Sequence, residues 1–338
     1  MPECRAMGGE AKGTGLRPRV ALLSNPRSTG NLAQLPRIRA FCDAHPDLFH
    51  YEVEHSWQIG EAMATIAKIG PKLLVVNGGD GTVQAALTEM VSGDHFGGRA
   101  PPVAVLPSGK TNLIALDLGA AGDPVAALER LLAVAQGDLS PHTVERELIA
   151  LTGGEGASRP VIGMFLGGAG LADIMLYCRN RIYPLGLPNG ISHFLTAVAV
   201  IVRQVFGLHA SFLPPAAKPL SIQMKSRGPI QGKFSLLMVT TLEKLLLSGD
   251  IGAHRAGQLK FVAVEEKPWS LIRAIAASLR GRLGRHQLDG VHIEEADEIE
   301  IDGDQSEVIL DGESFRAGVG KPILLKRAAP LAFVKLAA

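Results

Sequence analysis

The chain reads as an α/β N-terminal domain with an open, mostly parallel sheet, followed by a largely antiparallel β domain. Three observations predict this. The first is the stretch Leu73-Leu74-Val75-Val76-Asn77-Gly78-Gly79-Asp80-Gly81-Thr82, an apolar run that enters glycines wrapped around one aspartate. The second is the alternation of strand-like and helix-like segments from residue 19 to about residue 138. The third is a change of pattern after about residue 140, where short strand-like segments are separated by turn dipeptides such as Asp302-Gly303 and Asp311-Gly312. Alternating βα units imply a parallel sheet with right-handed crossovers, and ligands of such sheets lie beyond the carboxyl ends of the strands.

Taken in order, Val20-Ala21-Leu22-Leu23-Ser24 is expected as a strand that runs into Asn25-Pro26-Arg27-Ser28-Thr29-Gly30, a loop of turn formers. A helix is expected around residues 35–44, an alternating strand over 50–55 and a helix over 61–69. The apolar run from Leu73 is expected as a strand buried on both faces, with the first helical turns beginning at Gln84. Pro102-Val103-Ala104-Val105-Leu106 forms the next strand and ends in Pro107-Ser108-Gly109-Lys110-Thr111-Asn112, before another helix. Asp123 reads as an N-cap with Pro124 at the first helical position of a helix that reaches about Gln136. Further strands are expected over 142–151, 161–167, 220–224, 234–241, 258–264, 286–294, 298–302, 307–310 and 322–326, with a helical insertion near 190–208. The domain boundaries that follow are a mobile tail over 1–17, an α/β domain over 18–140, a β-rich domain over 141–326, and a C-terminal segment over 327–338 able to pack back on the first domain.

Composition narrows the function classes. Lys and Arg total 34 against 33 Asp and Glu, for a net charge of +1, and aromatic residues are 5%. A nucleic-acid partner normally needs a basic face or a stacking platform, so none is expected. Cys4, Cys42 and Cys178 are far apart and odd in number, which predicts neither a disulfide framework nor a zinc site and points to a reducing cytoplasm. No signal peptide is legible in the first residues, and the longest apolar segment, 193–208, is broken by Arg203 and Gln204 and is too short to span a bilayer. The ten histidines form no ligand spacing.

Several segments carry candidate chemistry. Glycines at a strand end let a backbone approach a ligand closely, and the N–H groups that open the next helix suit phosphate. Asp80 is the odd member, because a carboxylate repels phosphate unless a cation lies between them; the motif suggests phosphate plus Mg²⁺, and an ordinary tight turn is the other reading. Ser108-Gly109-Lys110-Thr111 looks like a P-loop but has Ala104 where the first glycine belongs, which leaves a phosphate- or ribose-contacting loop or a structural turn. Asn25-Pro26-Arg27-Ser28 gains its weight from lying at the same sheet edge. Asp311-Gly312-Glu313 offers two carboxylates that could act as base and metal ligand, or form a solvated hairpin turn. Residues 191–208 read as core packing or as a lipid-contacting surface.

Ser24-Asn25-Pro26 with Gly30, Gly78-Gly79-Asp80-Gly81-Thr82, Pro107-Ser108-Gly109-Lys110-Thr111-Asn112 followed by Ala115, and Asp311-Gly312-Glu313 occur in an order that resembles the diacylglycerol kinase catalytic-domain family, lipid kinases that include the sphingosine kinases and bacterial lipid kinases. The resemblance covers roughly residues 18 to 326. It implies a C-terminal β-sandwich-like domain and ATP in a nucleotide cleft between the two domains. It also implies nucleotide contacts from Asn25, Pro26, Ser56, Gly78, Gly79, Asp80, Gly81, Thr82, Ser108, Gly109, Lys110, Thr111 and Asn112. Asp80 and Glu313 would serve Mg²⁺, and Glu313, with Asp311 beside it, would accept the proton of the lipid hydroxyl. Departures are Gln84-Ala85 in place of Asn-Glu, a nucleotide-facing threonine replaced by Lys110 or shifted to Thr111, and Ala256 where bacterial members often carry an aspartate of a structural metal site, which is expected to be missing or rebuilt.

The expectation is an ATP- and Mg²⁺-dependent lipid kinase, cytoplasmic and transiently membrane-associated, with a membrane lipid as substrate and a homodimer left open. Two alternatives stay open: an NAD kinase-like phosphotransferase, and a non-catalytic nucleotide- or lipid-binding homologue.

Overall fold

A computed structural model describes residues 19–155, 159–178, 217–225, 227–243, 258–267, 269–280, 282–284, 286–304, 306–318 and 320–336. The expected tail over 1–17, Cys4, the insertion near 190–208 and Ala256 lie outside the described residues. Cys42 and Cys178 are buried free thiols. The chain divides into two compact units, residues 1–146 with 331–338, and residues 147–330.

The first unit is built on strands β1 (Val20–Ser24), β2 (Leu48–Glu52), β3 (Leu73–Gly78) and β4 (Val103–Pro107). They lie in the order β4-β3-β1-β2, all parallel. Every residue of β1 and β3 is buried, the mark of strands covered on both faces. The cover comes from helices α1 (Asn31–Asp43), α2 (Ile59–Ile69), α3 (Asp80–Ser92), the short α4 (Leu113–Asp117) and α5 (Pro124–Gln136), with α1 beside α5 and α2 beside α3. Asp123 caps α5 by accepting from the Ala126 N–H at 3.1 Å, and Pro124 opens the helix. The C-terminal end of the chain completes this sheet: Phe333 pairs in parallel with Val103 and is fully buried.

Local expectations shift at three places. Helix α1 begins at Asn31, ahead of Pro36, which lies inside the helix. Strand β2 ends at Glu52, although the Val53 N–H still donates to the Ser24 carbonyl at 2.9 Å. Most relevant to the site, α3 begins at Asp80 inside the glycine motif and not at Gln84, because the Gly79 carbonyl accepts from the N–H groups of Thr82 and Val83 at 2.9 and 3.1 Å.

The second unit is antiparallel. Its elements are β5 (Thr143–Gly153), which leads in from the first unit, β6 (Val161–Gly163), β7 (Phe165–Gly168), α6 (Gly170–Tyr177), β8 (Pro219–Met224), β9 (Arg227–Thr240), β10 (Leu259–Glu265), α7 (Ser270–Leu279), β11 (Val291–Ala296), β12 (Glu298–Asp302), β13 (Ser306–Leu310), β14 (Glu313–Ala317) and β15 (Ile323–Val334). Strand β9 serves two layers. Its first half pairs with β8, while its second half lies between β7 and β10. One core fills the space between the layers, with Leu220, Ile222 and Ile299 from one and Val239, Phe261 and Val308 from the other. Helix α7 and strand β14 were not legible as elements, the expected strand over 161–167 splits at Met164, and β11 begins after Gly290, whose φ is +73°.

Replacing Phe333 by Ala removes a fully buried ring from the first unit's sheet edge. The variant should lose about 3–5 kcal/mol of unfolding free energy in urea denaturation.

Candidate active site

Four loops leave the carboxyl ends of β2, β1, β3 and β4, the edge where a parallel sheet receives its ligands. A single chain of side-chain hydrogen bonds runs beneath them. His50 Nε2 on β2 lies 2.8 Å from Ser24 Oγ on β1. Ser24 Oγ accepts from Asn77 Nδ2 on β3 at 2.9 Å, and Asn77 Oδ1 accepts from Ser108 Oγ, just past β4, at 2.5 Å. Ser24, Asn77 and Ser108 are all buried, so these bonds have no water to compete with. Asn31 closes the corner, donating to the carbonyls of Asn25 at 2.8 Å and Asn77 at 3.1 Å. Asn25 in turn donates from Nδ2 to Thr82 Oγ1 at 2.9 Å, and Ser28 Oγ accepts from the Gly79 N–H at 3.1 Å.

The structure thus brings together the expected residues Asn25, Gly79, Thr82 and Ser108, with Gly109 and Asn112 joined through the Gly109 N–H, which donates to Asn112 Oδ1 at 2.6 Å. The glycines are required by crowding and not by backbone sign. None of Gly78, Gly79 or Gly109 has a left-handed φ. A Cβ on Gly78 would lie 2.6 Å from Thr82 Cβ, and one on Gly109 would lie 2.7 Å from Gly79 Cα. Asn112 itself takes the left-handed conformation, with φ +55°, to cap α4. Pro26 is part of the β1 loop, while Lys110 is exposed and Thr111 half-buried. Ser56 opens a short 3-10 turn on the β2 loop and is exposed, beside an exposed Trp57 whose ring stacks with His55. Arg27 and Glu54 form an ion pair at 3.3 Å between the β1 and β2 loops.

Asp80 is more constrained than its motif suggests. Burial pushes its carboxyl up to about 6, opposed by backbone N–H groups of Ile114, Asn112 and Leu113 that donate to it. The carboxylate therefore ties the start of α3 to the start of α4. Gln84 is buried on α3, and its Nε2 has no hydrogen-bond partner among the described residues. Sequence reasoning missed Asn77, Asn31 and His50 as site residues, and it placed Ser28 in a candidate loop without its contact to Gly79. The one available signal was Asn77 itself, a buried amide terminating an otherwise apolar strand.

In the second unit, Asp311-Gly312 is a two-residue hairpin loop joining β13 to β14, with φ values of +45° and +94°. Asp311 is buried. Its Oδ2 accepts from the Met164 N–H at 2.8 Å and its Oδ1 from the Phe165 N–H at 3.0 Å. Expected as a catalytic-type partner of Glu313, Asp311 turns inward and locks the hairpin to the β6–β7 junction. Glu313 is the exposed first residue of β14.

Two consequences are measurable. Asp311→Ala strands two buried N–H groups and should cost about 3 kcal/mol of stability in chemical denaturation. Burial lowers the pKa of His50, with Arg39 adding to the shift and Glu52 opposing it. A folded-state value below the unfolded one gives stability that is present above the unfolded value and lost as pH falls through it. The His50 contribution to unfolding free energy should therefore decline from pH ~7.5 to ~5.5, while the raised Asp80 carboxyl acts in the opposite sense, and His50→Gln should remove the His50 share of the pH dependence.

Comparison with known proteins follows this geometry. Residues 19–144 match the model of the diacylglycerol kinase catalytic domain. No curated protein matches the chain. Among solved structures, a diacylglycerol kinase from Bacillus anthracis str. Sterne superposes with a TM-score of 0.60 at 16% identity, over 94% of this chain and 97% of that one. A second structure from the same organism gives 0.63 at 17% identity over 94% and 97%, and a third 0.59 at 18% over 91% and 94%. These likenesses show the fold, and over residues 19–144 the chain is similar to the diacylglycerol kinase catalytic domain whose motifs it resembles.

Proposed function

We propose that the chain is an ATP- and Mg²⁺-dependent kinase that transfers the γ-phosphoryl group to a hydroxyl of a diacylglycerol-like or related membrane lipid. The observation that carries this reading is the interlocking of the β1, β3 and β4 loops through Asn25, Asn77 and Ser108. It holds glycine backbones and a helix start rigidly at the ligand edge of a parallel sheet. The N–H groups of Asp80 and Gly81, in the first turn of α3, are among those a helix leaves unsatisfied, and they suit phosphate oxygens. Lys110 adds positive charge to the next loop.

Among the described residues no group of three or more His, Cys, Asp or Glu could hold a metal ion alone. Asp80 is the one carboxylate in the sequence of these three loops, and a single carboxylate suits Mg²⁺ carried by nucleotide phosphates. Three N–H groups already donate to Asp80, so a contact through water suits it better than direct coordination. When bound, the ion neutralises charge on the phosphates. The protein's own work is positioning: the loops fix the phosphoryl donor, and Glu313 takes the proton from the attacking hydroxyl. Asp311 keeps the Glu313 hairpin in place without touching substrate.

A second reading, a non-catalytic nucleotide-binding homologue, draws support from the buried unpartnered amide of Gln84 next to Ala85. Purified protein with labelled ATP, Mg²⁺ and lipid micelles, then NAD, separates the cases. Lipid phosphorylation should fall about 10²–10⁴-fold in Glu313→Gln, while stability stays within about 0.5 kcal/mol because the side chain is exposed. Phosphate transfer to NAD would favour an NAD kinase-like enzyme, and nucleotide binding without turnover the non-catalytic reading.

A further inference from the structure

Residues 267–288 contain Lys267, Arg273, Arg280, Arg282 and Arg285 and neither Asp nor Glu, in a chain whose net charge is +1. Helix α7 lies within this stretch and is apolar on two sides. Ala274 is buried, and Leu271 and Ala277 pack against a cluster formed with Val264 of β10 and Val291 and Ile293 of β11. Ile272, Ile275, Ala276 and Leu279, spaced i, i+3, i+4 and i+7, form a second stripe, and none of them belongs to that cluster. Leu279 is 70% exposed, and Trp269, which precedes the helix, is 53% exposed.

Cations border this second stripe. Arg273 lies three residues before Ala276 and Arg280 four after it, so both flank the apolar row. Both are exposed, as is Arg282. Among the described residues no carboxylate pairs with any of the three. Of the nearest acids in sequence, Glu265 and Asp289 pair with Lys267 at 2.7 and 3.6 Å, and Glu265 also lies 2.8 Å from His292 Nε2.

We propose that Trp269, the outer stripe of α7 and the arginines around it form a docking element for an anionic lipid bilayer. An aromatic ring and aliphatic side chains fit the boundary of the acyl region, and the exposed guanidinium groups of Arg273, Arg282 and Arg280, the last of which also donates to the Ala276 carbonyl at 3.3 Å, meet anionic head groups above it. The element lies on a membrane and does not cross it, since no helix among the described residues is long and apolar enough to span one. Charge complementarity selects the occupant: Arg273, Arg280 and Arg282 are exposed, and no carboxylate pairs with them among the described residues. The inference deepens the lipid-kinase reading and rests on it for the meaning of the docking, but vesicle binding and phosphate transfer are separate measurements.

The full chain is floated with vesicles of phosphatidylcholine alone and of phosphatidylcholine with phosphatidylglycerol. Binding should require the anionic lipid and weaken with salt. Trp269 emission, isolated in a Trp57→Phe background, should shift to the blue on binding. Arg280→Glu with Arg282→Glu, and separately Leu279→Asp, should weaken partitioning about tenfold or more. All three positions are exposed, and circular dichroism confirms that the variants fold. Lipid phosphorylation in detergent micelles should remain near wild type in these variants. Unchanged partitioning of the variants, an unshifted Trp269, or binding to an RNA homopolymer in place of vesicles would each overturn the proposal. Vesicle binding without any micelle activity would uphold the docking element while sinking the kinase reading.

Discussion

Asn77 occupies the next-to-last position of a strand that is buried from end to end, and its amide has no water to turn to. The side chain can be satisfied only by partners of the right kind on each side: a hydroxyl that accepts, Ser24, and a hydroxyl that donates, Ser108. Those two serines begin the loops on either side, so one amide sets the relative height of three strand ends. Once that height is fixed, backbones come into van der Waals contact. Gly109 rests against Gly79, and the Gly30 N–H donates to the Ser108 carbonyl at 2.9 Å. The glycines of the motif are the residues that survive this crowding.

The acids of the motifs divide by what they touch. Asp80 and Asp311 belong to different units but do similar work, each accepting backbone N–H groups from a neighbouring segment. A carboxylate met by several amides is a strong fastener, because charge-assisted bonds outweigh neutral ones and the partners are fixed. Glu313 has the opposite setting, one residue beyond the hairpin turn and open to solvent. The geometry thus separates a carboxylate that shapes a loop from one that stands open to solvent, although both lie in one tripeptide.

Much of the first unit was legible because its signals are local. Continuous apolar runs mark β1, β3 and β4, and Asp123-Pro124 marks the start of α5. The second unit hid more. Strand β14, Glu313-Ser314-Phe315-Arg316-Ala317, carries a single large apolar residue and exists because β13 supplies its partner. Helix α7 escaped notice although its apolar residues recur at helical spacing, because the segment lies among short strands in a stretch read as β. The direction of Asp311 was out of reach: its partners, Met164 and Phe165, are far away in sequence, and only the folded sheet brings them near. The loops of the site were identified, but the residues that hold them in place, Asn31, Ser28 and His50, are ordinary polar residues until their partners are known.

The pairing of Phe333 with Val103 bears on how the molecule is made. Synthesis from the N-terminus delivers β1 to β4 early, yet the segment that flanks β4 leaves the ribosome only after the second unit. Residues 147–330, which form the whole second unit, are complete before the first unit can close. During that interval β4 is an open sheet edge, with unpaired peptide groups able to accept a wrong neighbour. A nascent chain of this protein would be most in need of a chaperone after its N-terminal strands have emerged and before the segment around Phe333 has been added.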